Sequence, residues 1–294
     1  MPTRLKDKSL ALFFTCGVSL EAWRERGMLA REVALYNELS KHFREIYFFT
    51  YGGPEETGFR DCLAENIVIV PKKGVKNDLL YSFLMPFIHR RLLKKIHFLK
   101  TNQMWGAWSA VLAKVLYRKK LLVRTGYVLS DDIAVKKRGL FNRLVSGLER
   151  LAYGLADGII TTSQAGFRYI AARYRPRAIP VVVPNYVETD IFKPLDTAKT
   201  GGSLCFLGRL NPQKNLPALL EALRGLPYTL DIIGSGEQGK DLRDYAEALD
   251  IKLKLLGNMP NHELPSLLNR YEVFALPSLW EGMPKALLEA MACG

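Results

Sequence analysis

The chain has 294 residues, of which 48% are apolar and 24% charged. This composition is typical of a globular protein and excludes a disordered one, and the length suits two domains rather than one. No apolar run approaches the ~20 residues that a membrane-spanning helix needs.

Charge is distributed unevenly along the chain. The formal net charge is +13, yet residues 201–294 hold 9 Lys/Arg against 11 Asp/Glu, so the basic excess lies in residues 1–200. Such a field attracts an anionic membrane surface, a phospholipid-linked acceptor or nucleic acid, although it also serves simply to solubilise a surface. Because no nucleic-acid-binding motif is found, we expect no nucleic-acid partner.

The four cysteines are scattered and form no C-x-x-C pair. Neither a zinc site nor a redox motif is therefore predicted, and a reducing cytoplasm is the expected compartment. Residues 6–20 superficially resemble a signal peptide, being basic and then apolar. Because no convincing cleavage site follows, we interpret residues 9–15 as the first strand instead.

Short apolar runs alternate with longer helical patterns over the first part of the chain. The predicted strands are residues 9–15, 45–50, 66–70, 96–101, 120–124, 158–162 and 179–183. The predicted helices are residues 28–40, 78–95, 105–117, 137–154 and 164–174. Near-continuous apolar strands separated by helices predict an α/β fold with a parallel sheet covered on both faces.

The sequence changes in character near Val183. Residues 184–202 contain Pro184, Pro194 and the pair Gly201-Gly202, which predicts a connector between domains of residues 1–183 and 203–294. A second alternating series follows, with strands at 203–207, 228–233, 252–255 and 272–277 and helices at 215–223, 239–249, 263–270 and 284–293. A parallel sheet normally continues beyond such a helix, so we expect the second domain to be incomplete.

Residues 234–239 read Gly-Ser-Gly-Glu-Gln-Gly after a strand and before a helix. This spacing fits the dinucleotide-binding fingerprint and raises an NAD-dependent oxidoreductase as an alternative. The fingerprint normally follows the first strand of its domain, whereas this one follows the second. The acid expected at the end of the next strand is also missing, so we interpret the segment as a tight turn closing onto a helix.

The loop after residues 203–207 carries Arg209 and Lys214. Parallel sheets bind ligands beyond the carboxyl ends of their strands, and this loop leaves such an end. Arg grips phosphate oxygens bidentately and Lys adds a compact charge. The pair therefore suits a diphosphate, although two solvated surface charges would give the same pattern.

Two carboxylates, Glu281 and Glu289, bracket a predicted helix start. Pro284 is expected in the first helical turn, so Glu281 would precede the helix and Glu289 would lie within it. A helix N-terminus carries partial positive charge and binds anions. The backbone amides expected there belong to Gly282, Met283 and Lys285.

At these residues the chain resembles family 4 of the retaining GT-B glycosyltransferases. The resemblance is dense over residues 184–294 and includes the loop 208–215, the turn 233–237, residues 256–264 and the E-x7-E block 281–289 with its Ala-Met-Ala-Cys-Gly continuation. It is looser over residues 1–183. It implies two Rossmann-like domains facing each other across a cleft. It also implies a role in cell-envelope polysaccharide or lipopolysaccharide synthesis, in the cytoplasm or on the inner face of the membrane.

The resemblance implies roles for individual residues as well. Arg209 and Lys214 would neutralise the diphosphate of a nucleotide-sugar donor, Glu281 would contact the transferred sugar and Glu289 would bind the ribose. Further donor contacts are implied at Gly17, Gly208, Gly234, Gly257, Asn258, Met259, Gly282, Met283, Pro284 and Lys285.

The family usually retains the anomeric configuration, with a donor phosphate oxygen accepting the acceptor's proton, so no protein nucleophile is implied. The sequence has no D-x-D metal motif. We therefore expect no metal or other cofactor, and the charge that develops on the leaving group would be stabilised by Arg209, Lys214 and the helix end.

One departure concerns a His that many relatives carry after the strand at 120–124. This chain continues from Arg124 to Tyr127 without a His. Either Arg124 or Tyr127 would act on the acceptor side, or this subgroup dispenses with the His. A non-catalytic nucleotide-sugar-binding remnant is therefore the alternative function.

Residues 79–100 mix apolar and basic side chains as an interfacial helix does. With the basic excess of this region, the pattern predicts docking on anionic lipid and a glycan or lipid-linked acceptor. A core-facing helix with a solvated basic face explains the same pattern, and Pro86 favours that alternative.

Overall fold

The computed structural model describes residues 5–126, 128–129 and 139–294. Its contacts divide the chain into two units. The first unit runs to Glu25 and then from Leu29 to Pro184, and the second holds Arg26–Met28 and Asn185–Gly294. Each unit contains one parallel sheet with helices between successive strands.

The first unit is built on a seven-stranded parallel sheet in the order β3-β2-β1-β4-β5-β6-β7. Its strands are β1 (Ser9–Phe13), β2 (Glu45–Phe49), β3 (Ile67–Val70), β4 (Phe98–Thr101), β5 (Lys120–Thr125), β6 (Gly158–Thr161) and β7 (Pro180–Val182). Its helices are α1 (Leu20–Glu25), α2 (Leu29–Ser40), α3 (Asp78–Ile88), α4 (Arg90–Leu93), α5 (Ala107–Tyr117), α6 (Leu140–Leu155) and α7 (Gln164–Tyr174). A strand stands at each of the seven predicted positions.

Strand β1 shows why these segments fold as they do. All five of its residues are buried, and it pairs with β2 on one edge and β4 on the other. A strand with helices over both faces must be apolar throughout, which is what residues 9–13 supply. The interpretation of this segment as a strand is confirmed.

Helix α1 was missed because its start depends on a distant residue. The Glu56 carboxylate is fully buried and accepts hydrogen bonds from the Leu20 amide, the Glu21 amide and the Thr50 hydroxyl. These bonds satisfy two orphan amides of a helix that, at six residues, is too short to be stable by itself. Nothing near residue 20 in the sequence reveals that partner.

The single helix predicted over residues 78–95 is wrong, since the chain breaks at His89 and resumes as α4. Pro86 lies inside α3 and has no amide to bond to the Ser82 carbonyl one turn earlier. That carbonyl instead accepts the Ser109 hydroxyl of α5 at 2.6 Å. The proline is therefore accommodated by a neighbouring helix, and the break falls three residues later.

The second unit holds a four-stranded parallel sheet in the order β10-β9-β8-β11. Its strands are β8 (Thr200–Leu207), β9 (Thr229–Ile233), β10 (Lys252–Gly257) and β11 (Tyr271–Phe274). Its helices are α8 (Leu216–Leu223), α9 (Gly239–Ala248), α10 (Leu264–Leu268) and α11 (Lys285–Cys293).

Strand β8 begins inside the segment predicted as a connector. The Thr200 amide donates to the Arg270 carbonyl, and the Gly202 amide donates to the Glu272 carboxylate at 2.8 Å. Because these bonds come from the segment around β11, the Thr-Gly-Gly sequence is drawn into the sheet despite its turn-like composition.

Within the described residues, no helix is long and apolar enough to cross a bilayer.

His89 gives the first unit a specific dependence on pH. Its ring packs edge-on against Phe49, and its Nε2 lies 2.9 Å from the Tyr81 hydroxyl. Burial, with a smaller effect of the Lys73 charge, lowers the pKa of His89 from 6.5 to about 4. The folded state therefore takes up this proton less readily than the unfolded chain, and stability is lost as the pH falls from 6.5 towards 4.

The expected loss is about 1–2 kcal/mol, after allowing for the part of the ring that solvent screens. Urea unfolding of the His89→Gln variant should show a shallower decline between neutral and acidic pH than the parent chain. The His42→Gln variant is the matched control, because His42 is exposed. Equal profiles for the parent chain and His89→Gln would contradict this prediction.

Candidate functional site

The loop that leaves β8 is fixed by main-chain bonds before it reaches its charged residues. The Gly208 amide donates to the Ile233 carbonyl at 2.9 Å, and Leu210 exchanges bonds with the turn after β9 through Ser235 and Gln238. The Leu210 side chain is buried in the core of the unit. Arg209 lies between these two anchored residues, and its side chain is exposed.

A second loop, residues 275–284 after β11, is fastened to the first. The Leu279 amide donates to the Gln213 carbonyl at 2.9 Å, and the Gln213 side chain donates to the Trp280 carbonyl at 2.8 Å. The Asn215 amide group reaches the Pro277 carbonyl at 3.4 Å. Residues more than 60 positions apart in sequence are thus held side by side.

This fastening brings two of the predicted residues into direct contact. The Lys214 ammonium forms an ion pair with the Glu281 carboxylate. Both side chains are largely enclosed, with 12% and 22% of their surfaces exposed. Glu281 therefore balances the Lys214 charge, while the Arg209 side chain faces solvent.

Helix α11 begins directly after this loop. The helix starts at Lys285, whereas Pro284 is extended, with ψ of 118°, so the prediction that Pro284 lies in the first turn is wrong. Gly282 and Met283 consequently belong to the loop, not to the helix. No side-chain hydrogen bond of the described residues caps the helix start, which carries the partial positive charge of a helix N-terminus.

Asn185, the first residue of the longer segment of the second unit, holds in place the loop that leads into α11. Its backbone amide donates to the Met283 sulfur at 3.2 Å, and its side chain donates to the Met283 carbonyl at 2.6 Å. The Lys285 ammonium lies 5.5 Å from the centre of the Tyr186 ring, within cation–π range. Asn185 and Gln213 are positioning residues to which sequence reasoning assigned no role, although both lie in stretches that carry the resemblance.

Glu289 lies one turn inside α11 and is buried, with 2% of its surface exposed. Its Oε2 atom is enclosed in the protein. The predicted ribose contact stays a prediction, and it requires that the nucleotide reach a carboxylate that is covered in this structure.

The glycines of the 234–239 turn are needed for packing. A Cβ on Gly234 would lie 2.0 Å from the Gly208 carbonyl oxygen, and one on Gly236 would lie 2.3 Å from the Leu210 carbonyl oxygen. The Gly234 amide also donates to the Gly257 carbonyl at 2.7 Å. The space that a dinucleotide fingerprint leaves for pyrophosphate is therefore filled by main chain, which favours the interpretation as a structural turn.

Gly208, Gly234 and Gly257 thus meet at the carboxyl ends of β8, β9 and β10. In the loop after Gly257, Asn258 is exposed and Met259 packs partly against the apolar cluster beneath α10 and α11. The donor contacts implied at Gly257, Asn258 and Met259 stay a prediction.

Some enclosed polar atoms without a hydrogen-bond partner among the described residues, such as Tyr51 Oη, lie in the first unit, but four lie on the loops of this site. They are Asn211 Oδ1, Gln238 Oε1, Ser278 Oγ and Trp280 Nε1. Buried polar groups are normally paired, so unsatisfied ones on adjoining loops indicate that water or a polar ligand completes the site. Sequence reasoning missed all four, because unsatisfied atoms have no sequence signature.

The remaining predicted residues belong to the first unit. Gly17 follows β1 with φ of +77°, and its neighbour Cys16 donates its amide to the Trp105 carbonyl at 3.1 Å. Arg124 lies on β5, and its guanidinium donates to the Asn102 carbonyl at 3.2 Å. Tyr127 lies outside the described residues.

Across the described ranges, no three His, Cys, Asp or Glu side chains cluster as metal ligands would, and metal independence stays a prediction.

Comparison with solved structures identifies the fold class. Sucrose-phosphate synthase from Thermosynechococcus elongatus matches with a TM-score of 0.78 at 14% identity, covering 98% of this chain and 79% of that one. Anabaena HepE in complex with UDP and glucose matches with a TM-score of 0.72 at 16% identity, covering 97% and 78%. At these identities the similarity shows the fold alone, which is the GT-B class.

Family models then identify the family. The model described as Glycosyltransferase Family 4 matches residues 33–191, and the model described as Glycosyl transferases group 1 matches residues 187–294. The chain belongs to glycosyltransferase family 4. A curated relative is the Escherichia coli UDP-Gal:alpha-D-GlcNAc-diphosphoundecaprenol alpha-1,3-galactosyltransferase, 33% identical over 135 residues. That alignment covers 38% of this chain and spans only 34% of the length of the E. coli enzyme.

Proposed function

We propose that this protein transfers a sugar, with retention of configuration, from a nucleotide-diphosphate sugar to a hydroxyl group of a glycan or lipid-linked acceptor. The observation that carries the proposal is the Lys214–Glu281 ion pair, which joins the loop of the exposed Arg209 to the loop that leads into α11. Two cations and a helix N-terminus on adjoining loops suit a diphosphate. Membership of glycosyltransferase family 4 supports the same chemistry.

The ion pair suggests how the site accepts its donor. A diphosphate competes with Glu281 for Lys214, because it carries more negative charge than one carboxylate. Once Lys214 turns to the phosphates, Glu281 is released to accept hydrogen bonds from hydroxyls of the transferred sugar. The enclosed polar atoms of Ser278 and Trp280 lie on the same loop and offer further partners to the donor.

In the proposed reaction, the bond between the sugar C1 and the β-phosphate oxygen breaks while C1 forms a bond to the acceptor oxygen. The acceptor proton passes to a phosphate oxygen of the departing nucleoside diphosphate. Arg209, Lys214 and the α11 amides stabilise the charge that builds on this leaving group, and no protein nucleophile or metal takes part.

The relatives suggest which donor to test first. The E. coli relative is named for UDP-galactose, and the HepE structure contains UDP and glucose. We therefore propose a uridine diphosphate sugar as the first candidate. We also propose that the product enters a cell-envelope polysaccharide or lipopolysaccharide, with the protein in the cytoplasm at the inner face of the membrane.

A thermal-shift panel of UDP-, GDP- and ADP-sugars is expected to show stabilisation by one nucleotide class. A donor at a hundredfold excess over its Kd stabilises the folded state by about 2.7 kcal/mol, or about 5 °C in melting temperature. The stabilisation should be lost in Lys214→Ala and retained in Lys240→Ala, whose lysine is exposed on α9.

Stabilisation by NADH, with none by any sugar nucleotide, would contradict the proposal. Transfer to a glycan acceptor, measured by release of the nucleoside diphosphate, separates the enzyme from a protein that only binds the donor. If the protein binds a donor but neither transfers its sugar to any acceptor tested nor hydrolyses it, the result would favour the non-catalytic alternative.

A further inference from the structure

The outer side of α3 is entirely apolar. Its inward residues, Tyr81, Ser82, Met85 and Pro86, are buried. Its outward residues are Leu79, Leu80, Phe83, Leu84, Phe87 and Ile88, all of them exposed. A surface helix of a water-soluble unit normally turns polar and charged residues outward, whereas α3 is apolar on its outer side as well as on most of its inner side.

Helix α6 also turns large apolar residues outward, and it buries a carboxylate on its inner side together with Val145, Ala152 and Tyr153. The carboxylate of Glu149 is buried, where it accepts bonds from the Leu129 amide at 2.8 Å and the Tyr174 hydroxyl at 2.6 Å. The outward residues are Leu140, Phe141, Leu144, Leu148 and Leu151, with Leu140 74% exposed and Leu144 59% exposed. The spacing from Leu140 through Leu144, Leu148 and Leu151 places them on one side of the helix.

Helix α5 lies between these two helices and joins their outer sides. The Trp108 indole of α5 donates to the Ser82 hydroxyl of α3 at 2.7 Å and stacks on the Phe83 ring at 5.7 Å. On its other flank, Trp108 lines a small cavity with Val145 and Leu148 of α6. The outward residues of α3, α5 and α6 therefore form one surface, here called the helical face.

The charge of residues 79–130, which contain α5 and all of α3 except Asp78, has a single sign. Residues 79–130 contain ten Lys and Arg and no Asp or Glu. The Asp78 carboxylate at the start of α3 is paired with Lys72 at 2.7 Å. Exposed basic residues follow the ends of α3 and α5 directly, at Arg90, Arg91, Lys94, Lys95 and Arg118.

From these observations we propose that the helical face docks on an anionic phospholipid bilayer. The exposed leucines and phenylalanines enter the boundary between headgroups and acyl chains, and the basic residues bind the phosphate groups. Apolar patches of this kind mark interaction sites, and the charge selects an anionic partner. A second copy of the chain fits poorly, because a symmetric dimer on this face would bring the same basic residues together.

The test is co-sedimentation of the full chain with vesicles of phosphatidylcholine alone and of phosphatidylcholine mixed with phosphatidylglycerol. We expect the chain to partition onto the mixed vesicles, to bind the neutral ones weakly and to dissociate as salt is raised. A blue shift of Trp108 fluorescence should accompany binding, since its partner Phe83 is on the docking surface.

Three double variants probe the helical face: Phe83→Asp with Phe87→Asp, Leu144→Asp with Leu148→Asp, and Arg90→Glu with Arg91→Glu. Each is expected to weaken partitioning tenfold or more, because each removes either apolar insertion or charge attraction. The matched controls are Leu226→Asp and the pair Lys240→Glu with Arg243→Glu, which are exposed residues of the second unit and should leave binding unchanged. Unaltered circular dichroism spectra would show that each variant is folded.

Failure of the parent chain to bind mixed vesicles, equal binding by the variants, or a change from dimer to monomer in those variants would overturn the proposal. The surface belongs to the first unit and is independent of the proposed donor site. Donor-induced thermal stabilisation should therefore persist in every helical-face variant, so the failure of one proposal is distinguishable from the failure of the other.

Discussion

Replacement of Lys214 by alanine is expected to lower kcat/KM for the donor by two to three orders of magnitude, the usual cost of removing one preorganised group that stabilises developing charge. The variant removes a cation that would face the leaving diphosphate. It also leaves the Glu281 carboxylate, which is only 22% exposed, without its partner. Steady-state kinetics with the donor identified by thermal shift measures the effect.

Glu281→Gln and the double variant complete a cycle that separates the two residues. If Lys214 leaves Glu281 to bind phosphate, each single variant should lower the rate of transfer by more than the loss of the Lys214–Glu281 ion pair lowers the stability of the fold. The double variant should recover the free energy of unfolding but not the rate of transfer. The exposed Lys240→Ala variant serves as the control for loss of one positive charge. Normal turnover in Lys214→Ala would contradict the assignment of this lysine to the donor.

Gly234→Ala is expected to destabilise the second unit by about 4 kcal/mol or more, among the largest effects for a single methyl group. The added Cβ would stand 2.0 Å from the Gly208 carbonyl oxygen, and that oxygen is backbone that the β8 loop holds in place. Because φ at Gly234 is +131°, the substitution also imposes backbone strain. Urea unfolding gives the free energy, and hydrogen exchange of the β8 amides locates the change.

Gly225→Ala distinguishes steric clash from backbone strain. Gly225 also has a positive φ, of +72°, but no atom lies within 4 Å of the Cβ it would acquire. Its replacement should therefore cost only about 1–2 kcal/mol, from the left-handed conformation alone. Similar losses in the two variants would mean that the turn relaxes and that the close approach of Gly234 to Gly208 is unimportant.

The sequence was sufficient to predict the strands, because an apolar run between two helices has few alternatives in an α/β fold. Predictions failed where a distant side chain decides the local structure. Helix α1 depends on Glu56, and the carbonyl freed by Pro86 depends on Ser109 of another helix. Neither dependence is visible in a local window of sequence.

The candidate site was predicted in part. Residue type and strand position made Arg209, Lys214 and Glu281 candidates, and the family resemblance gave them their roles. The direct pairing of Lys214 with Glu281 was not predicted, since it follows from bonds that fasten two loops 67 residues apart. The close contact of Gly234 with Gly208 was likewise hidden, because spacing alone does not tell a phosphate-binding glycine from one that makes room for main chain.

The fastening of the β8 loop has a consequence for how such a protein changes its substrate. The loop after β8 is joined to the neighbouring loops mainly by backbone hydrogen bonds of Gly208, Leu210, Gln213 and Leu279, and we call this bonded set the scaffold. Backbone bonds do not depend on which side chains stand at neighbouring positions. Asn258, which follows the neighbouring strand β10 and has no charge-stabilising role, is an exposed side chain outside this scaffold. Exchanging such residues leaves the platform intact, so selectivity among sugar nucleotides can diverge between related proteins while the architecture stays constant.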